Sequence, residues 1–435
     1  MNRVSRLFQP ITHVPKDTTL KADNASKSYK LMLHMGIIRQ ANTGMYTLMP
    51  LGLRVLQKLI GIVDDEMSKI GAQKLLLPNL TSASLWEKTN RLQDIKTEMF
   101  SVRDRHKNMF ILSPTYEEAI TDLVASLGAV QMKKLPLLLY QISSKWRDEK
   151  KPRLGLLRGR EFIMKDLYSF DSSLDNSRNT YEAVREAYEN IFSSEMLSAV
   201  GDTGMMGGSL SHEYHYISDI GEDTVLSCRS CGFHINSTMY ESNVCATCHG
   251  AMLQHKAVEV GHTFLLGTRY SEPLNATFSD QGVAKPLMMG CFGLGLTRLI
   301  ATAVETLSKD EELRWPKHIA PYTVCIIPPK VQKNCAILDR ANIDTIIDDR
   351  VDMTIGRRFI DARKTGYPYV VVIGKSAIES TPLFEIHDQN GETQIDLSME
   401  QLKDFFVNND CPKEMKREAI AVRRVGIAMD FPLWR

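Results

Sequence analysis

The stretch Trp146-Arg147-Asp148-Glu149, followed by Arg158-Gly159-Arg160-Glu161-Phe162, decides the fold of this chain. It fits a strand–loop–strand hairpin whose loop holds further basic residues. An arginine suits a phosphate, a carboxylate suits the hydrogen-bonding edge of a base, and an aromatic side chain can cover a flat ring. The stretch therefore predicts a nucleotide-binding hairpin. The alternative is an exposed charged hairpin whose residues only pair with one another.

A second stretch, Gly290-Cys291-Phe292-Gly293-Leu294-Gly295-Leu296-Thr297-Arg298, lies far downstream. Its small residues permit a close-packed strand or turn, and the arginine at its end can present a fixed guanidinium group to a polyphosphate. Upstream of both stretches, a helical pattern runs to Ile70, and Gly71 stands where that helix would end. An apolar strand is predicted to follow over residues 74–77, closed by Pro78.

In this order the three stretches resemble motifs 1, 2 and 3 of the class II aminoacyl-tRNA synthetases. The resemblance implies an α+β catalytic domain built on an antiparallel sheet, a homodimer with motif 1 at its interface, and ATP and Mg²⁺ as cofactors. Activation in this class is an in-line attack by a carboxylate on phosphorus, so the protein mainly positions its substrates and neutralises charge.

The resemblance also implies roles for five residues. Arg147 would contact the α-phosphate of ATP, and Glu149 would read the adenine amino group. Arg158 would meet the γ-phosphate, while Phe162 would stack on adenine. Arg298 is the arginine of motif 3, and Arg147 and Arg298 are the implied catalytic residues. No general base is required, because a carboxylate is already a nucleophile at neutral pH.

Residues 112–118, Leu-Ser-Pro-Thr-Tyr-Glu-Glu, resemble the T-x-E loop of prolyl-tRNA synthetases. On an extended loop the hydroxyl of Thr115 and the carboxylate of Glu117 can both face one ammonium group. The alternative is a helix N-terminus at which acidic residues favour the helix dipole. Residues 160–170, 207–213 and 259–268 extend the resemblance, whose nearest form is the metazoan mitochondrial type.

This resemblance implies that Met164, Asp166 and His212 line a proline pocket. A core methionine and a hydrogen-bonded core histidine are the alternatives for two of them. The implied partners are proline and tRNA(Pro), and the implied location is the mitochondrial matrix. Two other functions fit the sequence less well. A non-catalytic relative would have lost the phosphate-binding arginines, and an editing factor would need a hydrolytic domain that this chain lacks.

Between motifs 2 and 3, where bacterial relatives usually carry a large editing domain, residues 237–260 leave room only for a short segment. This segment contains one Cys-x-x-Cys pair, Cys245 with Cys248, and a second pair, Cys228 with Cys231, precedes it, with 13 residues between the pairs. The spacing resembles a zinc ribbon that would bind a structural Zn²⁺. Reduced thiols without a metal are the alternative.

The 435 residues divide into four predicted parts. These are an N-terminal arm (1–26), the catalytic domain (27–315), an α/β anticodon-binding domain (316–407) and a basic C-terminal tail (408–435). The segment from Arg314-Trp315-Pro316 to Ala320-Pro321 is predicted to be a linker, and a strand is predicted near residues 353–355. The tail is either a solvated helix or a tRNA contact, and the basic N-terminus is either part of a transit peptide or a frayed end.

Composition narrows the function classes. A formal net charge of +1 means that any nucleic-acid surface has to come from local basic patches. The apolar fraction of 43% is ordinary for a globular protein, and the sequence holds no stretch of the length that crosses a membrane. A membrane partner is therefore not expected.

Overall fold

The computed structural model describes residues 2–11, 26–94, 99–192, 195–329 and 343–410. Its centre is a nine-stranded sheet in which most neighbouring strands are antiparallel, as predicted. In spatial order its strands are Leu210–Ile217, Leu197–Val200, His234–Asn236, Asp223–Cys228, Met252–Gly267, Met288–Gly295, Glu161–Asp171, Leu137–Trp146 and Gln73–Lys74. The strand Leu210–Ile217 also pairs with Met252–Gly267, so this end of the sheet curls back on itself.

The helices of the catalytic domain cover both faces of this sheet. Their bounds are Lys27–His34 (α1), Pro50–Lys69 (α2), Ala83–Lys88 (α3), Arg91–Asp94 (α4), Glu117–Ser126 (α5), Leu174–Ile191 (α6) and Leu296–Leu307 (α7). The main core lies between one face of the sheet and helices α1, α2, α6 and α7. A second core packs α5 against the other face through Tyr116, Ile120 and Val124. No helix in the described part of the chain is long and apolar enough to span a membrane.

Three small sheets complete the catalytic domain. Their strands are Ile38–Asn42 with Met45–Leu48; Leu80–Ser82, Met109–Leu112 and Phe100–Arg103; and Val283–Pro286, Thr277–Asp280 and Val130–Gln131.

The strand after α2 is shorter than predicted, because it covers Gln73–Lys74 instead of residues 74–77. The N–H of Leu75 still bonds the carbonyl of Tyr140, but the N–H of Leu77 bonds the Gln141 side chain. The backbone ladder ends there.

The C-terminal domain is an α/β unit, as predicted. Its sheet has the order Asn2–Arg3, Thr345–Ile347, Val324–Ile327, Tyr369–Val372, Phe384–Asp388 and Thr393–Leu397, with the first four strands parallel. Its helices are Ile355–Thr365 (α8) and Met399–Asp410 (α9). The predicted strand near residues 353–355 is wrong: Thr354 caps α8, accepting a hydrogen bond from the N–H of Arg357. Residues 411–435 of the predicted tail lie outside the described residues.

The predicted N-terminal arm is partly built into this domain. Asn2–Arg3 forms the edge strand beside Thr345–Ile347, and Arg3 lies 3.5 Å from the carboxylate of Asp349. The hydroxyl of Ser5 donates to the same carboxylate.

The predicted linker is also buried. Trp315 is fully enclosed, and its indole N–H donates to the carbonyl of Thr365 on α8. The main core continues through it to Cys325, Ile346 and Val370 of the C-terminal sheet.

Candidate active site

A cavity of about 360 Å³ opens on the α5 side of the large sheet. Its floor is built by side chains that share one face of three neighbouring strands. Because alternate residues of a strand point to the same side, Phe162, Met164 and Asp166 share this face. Strand pairing places Gly293 opposite Asp166, and His262 opposite Gly293. The lining includes Arg91, Thr115, Arg147, Glu149, Arg158, Phe162, Met164, Asp166, His262, Phe264, Cys291 and Arg298.

The glycines of the second stretch leave the middle of this floor open. Gly293 and Gly295 both line the cavity on the strand Met288–Gly295. A Cβ atom added to Gly293 would come no closer than 3.6 Å to any atom outside its chain neighbours, which is ordinary contact. The missing side chains therefore open space for a ligand and are not required by the packing.

One end of the cavity is strongly basic. The guanidinium carbon of Arg147 lies 5.2 Å from the ring centroid of Phe162, within the range of a cation–π contact. The guanidinium of Arg158 is 3.0 Å from Glu149 and also pairs with Glu222. Arg298 donates to the carbonyls of Leu157 at 2.8 Å and Glu259 at 3.0 Å. The structure thus brings together all five residues predicted to bind ATP.

The opposite end carries buried acidic groups. The Thr115 hydroxyl lies 2.8 Å from the Glu117 carboxylate, which also accepts from the thiol of Cys291 at 3.0 Å. Arg91 joins the two neighbouring carboxylates, at 3.2 Å from Glu117 and 3.0 Å from Glu118. Burial raises the pKa of Glu118, the positive charge of Arg91 lowers it, and the negative charge of Glu117 raises it further, so that the pKa is raised overall. The single positive charge of Arg91 is therefore shared by the carboxylates of Glu117 and Glu118.

Two details of the T-x-E prediction need correction. The loop is not extended as far as Glu117, because Glu117 is the first residue of α5. Its carboxylate is fully buried and does not line the cavity, whereas Thr115 and Cys291, which contact it, do. Thr115 therefore lies at the cavity wall, and Glu117 stands directly behind it.

Asp166 lies at the cavity floor with its charge already balanced. Its carboxylate is 2.6 Å from the buried ammonium of Lys145 and accepts from Gln141 at 3.0 Å and Tyr168 at 2.9 Å. Burial lowers the pKa of Lys145, although Asp166 opposes that shift. Met164 lines the cavity beside it, so the structure brings both residues to the site as predicted.

His212 is on the opposite face of the sheet and does not line the cavity, which corrects the sequence-based prediction. It pairs with Thr263, which alternates with the cavity-facing His262 and Phe264. Its ring nitrogen Nδ1 bonds the hydroxyl of Tyr181 on α6 at 2.9 Å. Burial lowers the pKa of His212 to about 4, with help from Arg185 and His262, so this imidazole is neutral at physiological pH.

Four lining residues, Arg91, His262, Phe264 and Cys291, were not predicted from the sequence. Signals for three of them exist, since residues 259–268 hold His262 and Phe264, and Cys291 lies in the third motif. Only the alternation of the strands shows which of these side chains face the cavity. Arg91 gave no signal, because it reaches the site from the short helix α4.

The four predicted metal ligands lie together at the far end of the strand Asp223–Cys228. All four Sγ atoms are within 4.8 Å of one another, with Cys228–Cys248 at 3.4 Å and Cys231–Cys245 at 3.6 Å. Four sulfurs at about 2.3 Å from a tetrahedral Zn²⁺ would be about 3.8 Å apart. A disulfide would instead need about 2.05 Å. The thiols therefore fit a tetrahedral metal and are not arranged as disulfides.

Two family models match the chain, one on each domain. The tRNA synthetase class II core domain (G, H, P, S and T) matches residues 100–307, and the anticodon binding domain matches residues 319–409. These matches agree with the catalytic and anticodon-binding domains predicted from the sequence.

Relatives that match this chain over most of their length are named as probable mitochondrial proline–tRNA ligases. A probable mitochondrial proline–tRNA ligase of Rattus norvegicus is 43% identical over 93% of this chain and 90% of its own length. One of Schizosaccharomyces pombe is 36% identical over 87% of this chain and 93% of its own.

Solved structures share the fold at lower identity. A Giardia lamblia prolyl-tRNA synthetase in complex with prolyl-adenylate has a TM-score of 0.72 and 17% identity, covering 90% of this chain and 80% of that chain. The Cryptosporidium parvum enzyme complexed with halofuginone and AMPPNP has the same TM-score and identity, covering 90% and 78%. The curated relatives, together with the two family models, show that this chain belongs to the class II proline–tRNA ligases of the mitochondrial type.

Proposed function

We propose that this chain activates proline with ATP and transfers it to tRNA(Pro) in the mitochondrial matrix. The observation that carries the proposal is the polarity of one cavity. Arginines suited to phosphates lie at one end, while a hydroxyl backed by a buried carboxylate, suited to an ammonium group, lies at the other. A carboxylate bound between these ends would be held against the phosphorus that it attacks.

The basic end fits the triphosphate. Arg147 over Phe162 suits the α-phosphate beside a stacked adenine, and Arg158 and Arg298 suit the outer phosphates and the departing pyrophosphate. Arg158 pairs with Glu149 and Glu222, so a phosphate bound there would compete with these carboxylates for its guanidinium group.

Mg²⁺ usually binds through one or two carboxylates together with substrate phosphates. Glu259 is a carboxylate that lines the cavity beside Arg298, so the donor set fits this ion. Bound there, Mg²⁺ would neutralise part of the phosphate charge.

The acidic end fits proline. The Thr115 hydroxyl can accept one N–H of a secondary ammonium group, and Glu117 supplies the opposite charge from behind. Met164 and Phe264 offer apolar contact for the pyrrolidine ring, and Asp166 closes the floor.

Proline-dependent ATP–pyrophosphate exchange tests the proposal directly. Replacing Arg147 with Ala should slow exchange by about 10²–10³, because preorganised charge at the α-phosphate acts mainly in the transition state. Arg178→Ala is the matched control, since Arg178 is an exposed arginine on α6 and only 3.8 Å from Asp175 in a weak surface pair. If Arg147→Ala exchanged at the wild-type rate, the assignment would be wrong.

The anticodon-binding domain and motif 1 carry two further parts of the proposal, tRNA binding and a homodimer. Two leucines after the short motif-1 strand face outward: Leu76 is 75% exposed and Leu80 is 43% exposed. Exposed leucines at this position suit a contact between two copies of the chain. Light scattering should report twice the chain mass, and Leu76→Lys should shift the protein toward the monomer.

We also propose that the four cysteines bind one structural Zn²⁺. The ion would do no chemistry, because four thiolates leave no open coordination position. It would tie residues 228–251 to the end of the strand Asp223–Cys228. Metal analysis should find about one zinc per chain, and Cys245→Ser should lose it. Four titratable thiols with no metal in the native protein would leave the reduced-thiol alternative.

A further inference from the structure

Ser211 is a buried polar residue that the proposed chemistry does not use. It lies on the strand Leu210–Ile217, is 1% exposed and does not line the cavity. Its Oγ atom is 2.6 Å from Nε2 of His262 and 3.3 Å from the carbonyl oxygen of Asp202. Both of those residues do line the cavity. A single hydroxyl therefore stands behind two parts of the cavity wall.

The other nitrogen of His262 is held by a carboxylate. Nδ1 lies 3.0 Å from Oε1 of Glu259, whose second oxygen is 3.7 Å from the guanidinium of Arg298. Both ring nitrogens of His262 are therefore held, Nδ1 by Glu259 and Nε2 by the Ser211 hydroxyl.

At its other contact, Ser211 holds the start of a cavity loop. Residues 202–206 all line the cavity and end in a short 3₁₀ turn, Gly204–Met206. The later part of the loop is held by the Tyr270 hydroxyl, which donates to the Met206 carbonyl at 3.0 Å. At its beginning, the Asp202 carbonyl faces Ser211. The contacts of Ser211 thus join the loop to the imidazole.

Serine, histidine and a carboxylate in this order also occur in nucleophilic triads. A nucleophile has to reach the substrate, whereas Ser211 is covered and does not line the cavity. Burial therefore points to an orienting role and not to attack by Ser211.

We propose that Ser211 is a positioning residue of the proline site. Its hydroxyl sets the orientation of His262 and links that ring to the loop 202–206, so that the wall around the amino acid is formed before proline binds. A wall that is already ordered loses less entropy on binding. This inference rests on the proposed function, because it assigns a role in the recognition of proline.

The test is a double-mutant cycle in proline-dependent pyrophosphate exchange, with Ser211→Ala, His262→Asn and the double variant. Losing the hydroxyl should raise the KM for proline by about 5- to 10-fold, the effect of one hydrogen bond. The KM for ATP should change by less than about twofold. The double variant should resemble His262→Asn alone, because Ser211 acts through that ring. Ser209→Ala is the control, since Ser209 precedes the same strand and is exposed.

The thermal midpoints of all variants show whether they are folded at the assay temperature. If the double variant is not folded, the KM for proline compared with the KM for ATP in Ser211→Ala alone decides the test. A KM for proline within about twofold of wild type in Ser211→Ala, or additive effects in the double variant, would overturn the inference. If wild-type protein itself showed no proline-dependent exchange, the proposed function would fail, which is a different outcome.

Discussion

Replacing Gly293 with Ala should change the activity of the enzyme without lowering its stability. The new Cβ would lie 3.6 Å from Sδ of Met164 and 3.8 Å from the carbonyl of His262, both ordinary contacts. Gly293 sits within a strand, where alanine loses less conformational entropy on folding than glycine. We therefore expect the free energy of unfolding to stay unchanged or to rise by up to about 1 kcal/mol.

The same methyl group would stand in the cavity between Asp166 and His262, the two residues paired across Gly293. An extra methyl in a well-packed site costs about 1–3 kcal/mol. That free energy corresponds to a loss of about 5- to 150-fold in kcat/KM. The assays are proline-dependent pyrophosphate exchange and thermal unfolding, performed on the same preparation.

Gly290→Ala is the matched control on the same strand. Its Cβ would lie only 2.8 Å from Ser169 Oγ and from the ring of Phe292, so this change should destabilise the fold. Gly290 does not line the cavity, so the activity of the folded fraction should remain. If Gly293→Ala kept full activity, or lost stability as Gly290→Ala does, the cavity floor would have been assigned to the wrong residues.

Three more outcomes are expected. Glu117→Gln should raise the KM for proline by up to about 150-fold, because the Thr115 hydroxyl and the ammonium group lose the negative charge behind them, and hydrogen bonds to charged groups contribute about 1.5–3 kcal/mol; an unchanged KM for proline would contradict the role of Glu117. Burial raises the pKa of Asp171 from 3.8 to about 6, against hydrogen bonds from Thr180 and Ser169 that lower it. The resulting stability is fully present below pH 4 and is lost as the pH rises through 6, so in thermal unfolding between pH 4 and 7 the Asp171→Asn variant should lack a pH-dependent loss of the order of 2–3 kcal/mol; parallel curves for the two proteins would refute this. Finally, alanine should be attached to tRNA(Pro) at a low rate, because a missing methylene gives only limited discrimination in the pocket. The alanyl-tRNA(Pro) should then be deacylated by this enzyme only at the spontaneous rate, because the chain has no separate editing domain between motifs 2 and 3; faster hydrolysis would reveal a hydrolytic site.

Much of the ATP end was predictable because its residues are close in sequence. Arg147 and Phe162 lie on two strands of one hairpin, so the pattern of that stretch alone places them near each other. The large sheet and the α/β domain were also predicted, since alternation and helical spacing are local signals.

The proline end depends on distant residues. Arg91 reaches Glu117 across 26 positions, and Cys291 reaches it across 174. Patterns within a short stretch of sequence do not indicate contacts between residues so far apart. His212 was assigned to the pocket by resemblance, and only its pairing with Thr263 shows that its side chain lies on the opposite face.

The buried linker has a consequence for how the protein unfolds. Because Trp315 and the residues beside it join the main core to the C-terminal sheet, the two domains share apolar surface instead of a solvated hinge. Cutting the chain at this point would expose that surface on both halves, which favours aggregation. The two domains should therefore melt in a single calorimetric transition, and neither half should be obtainable as a well-behaved soluble fragment. A substitution that destabilises one domain should then lower the melting temperature of both.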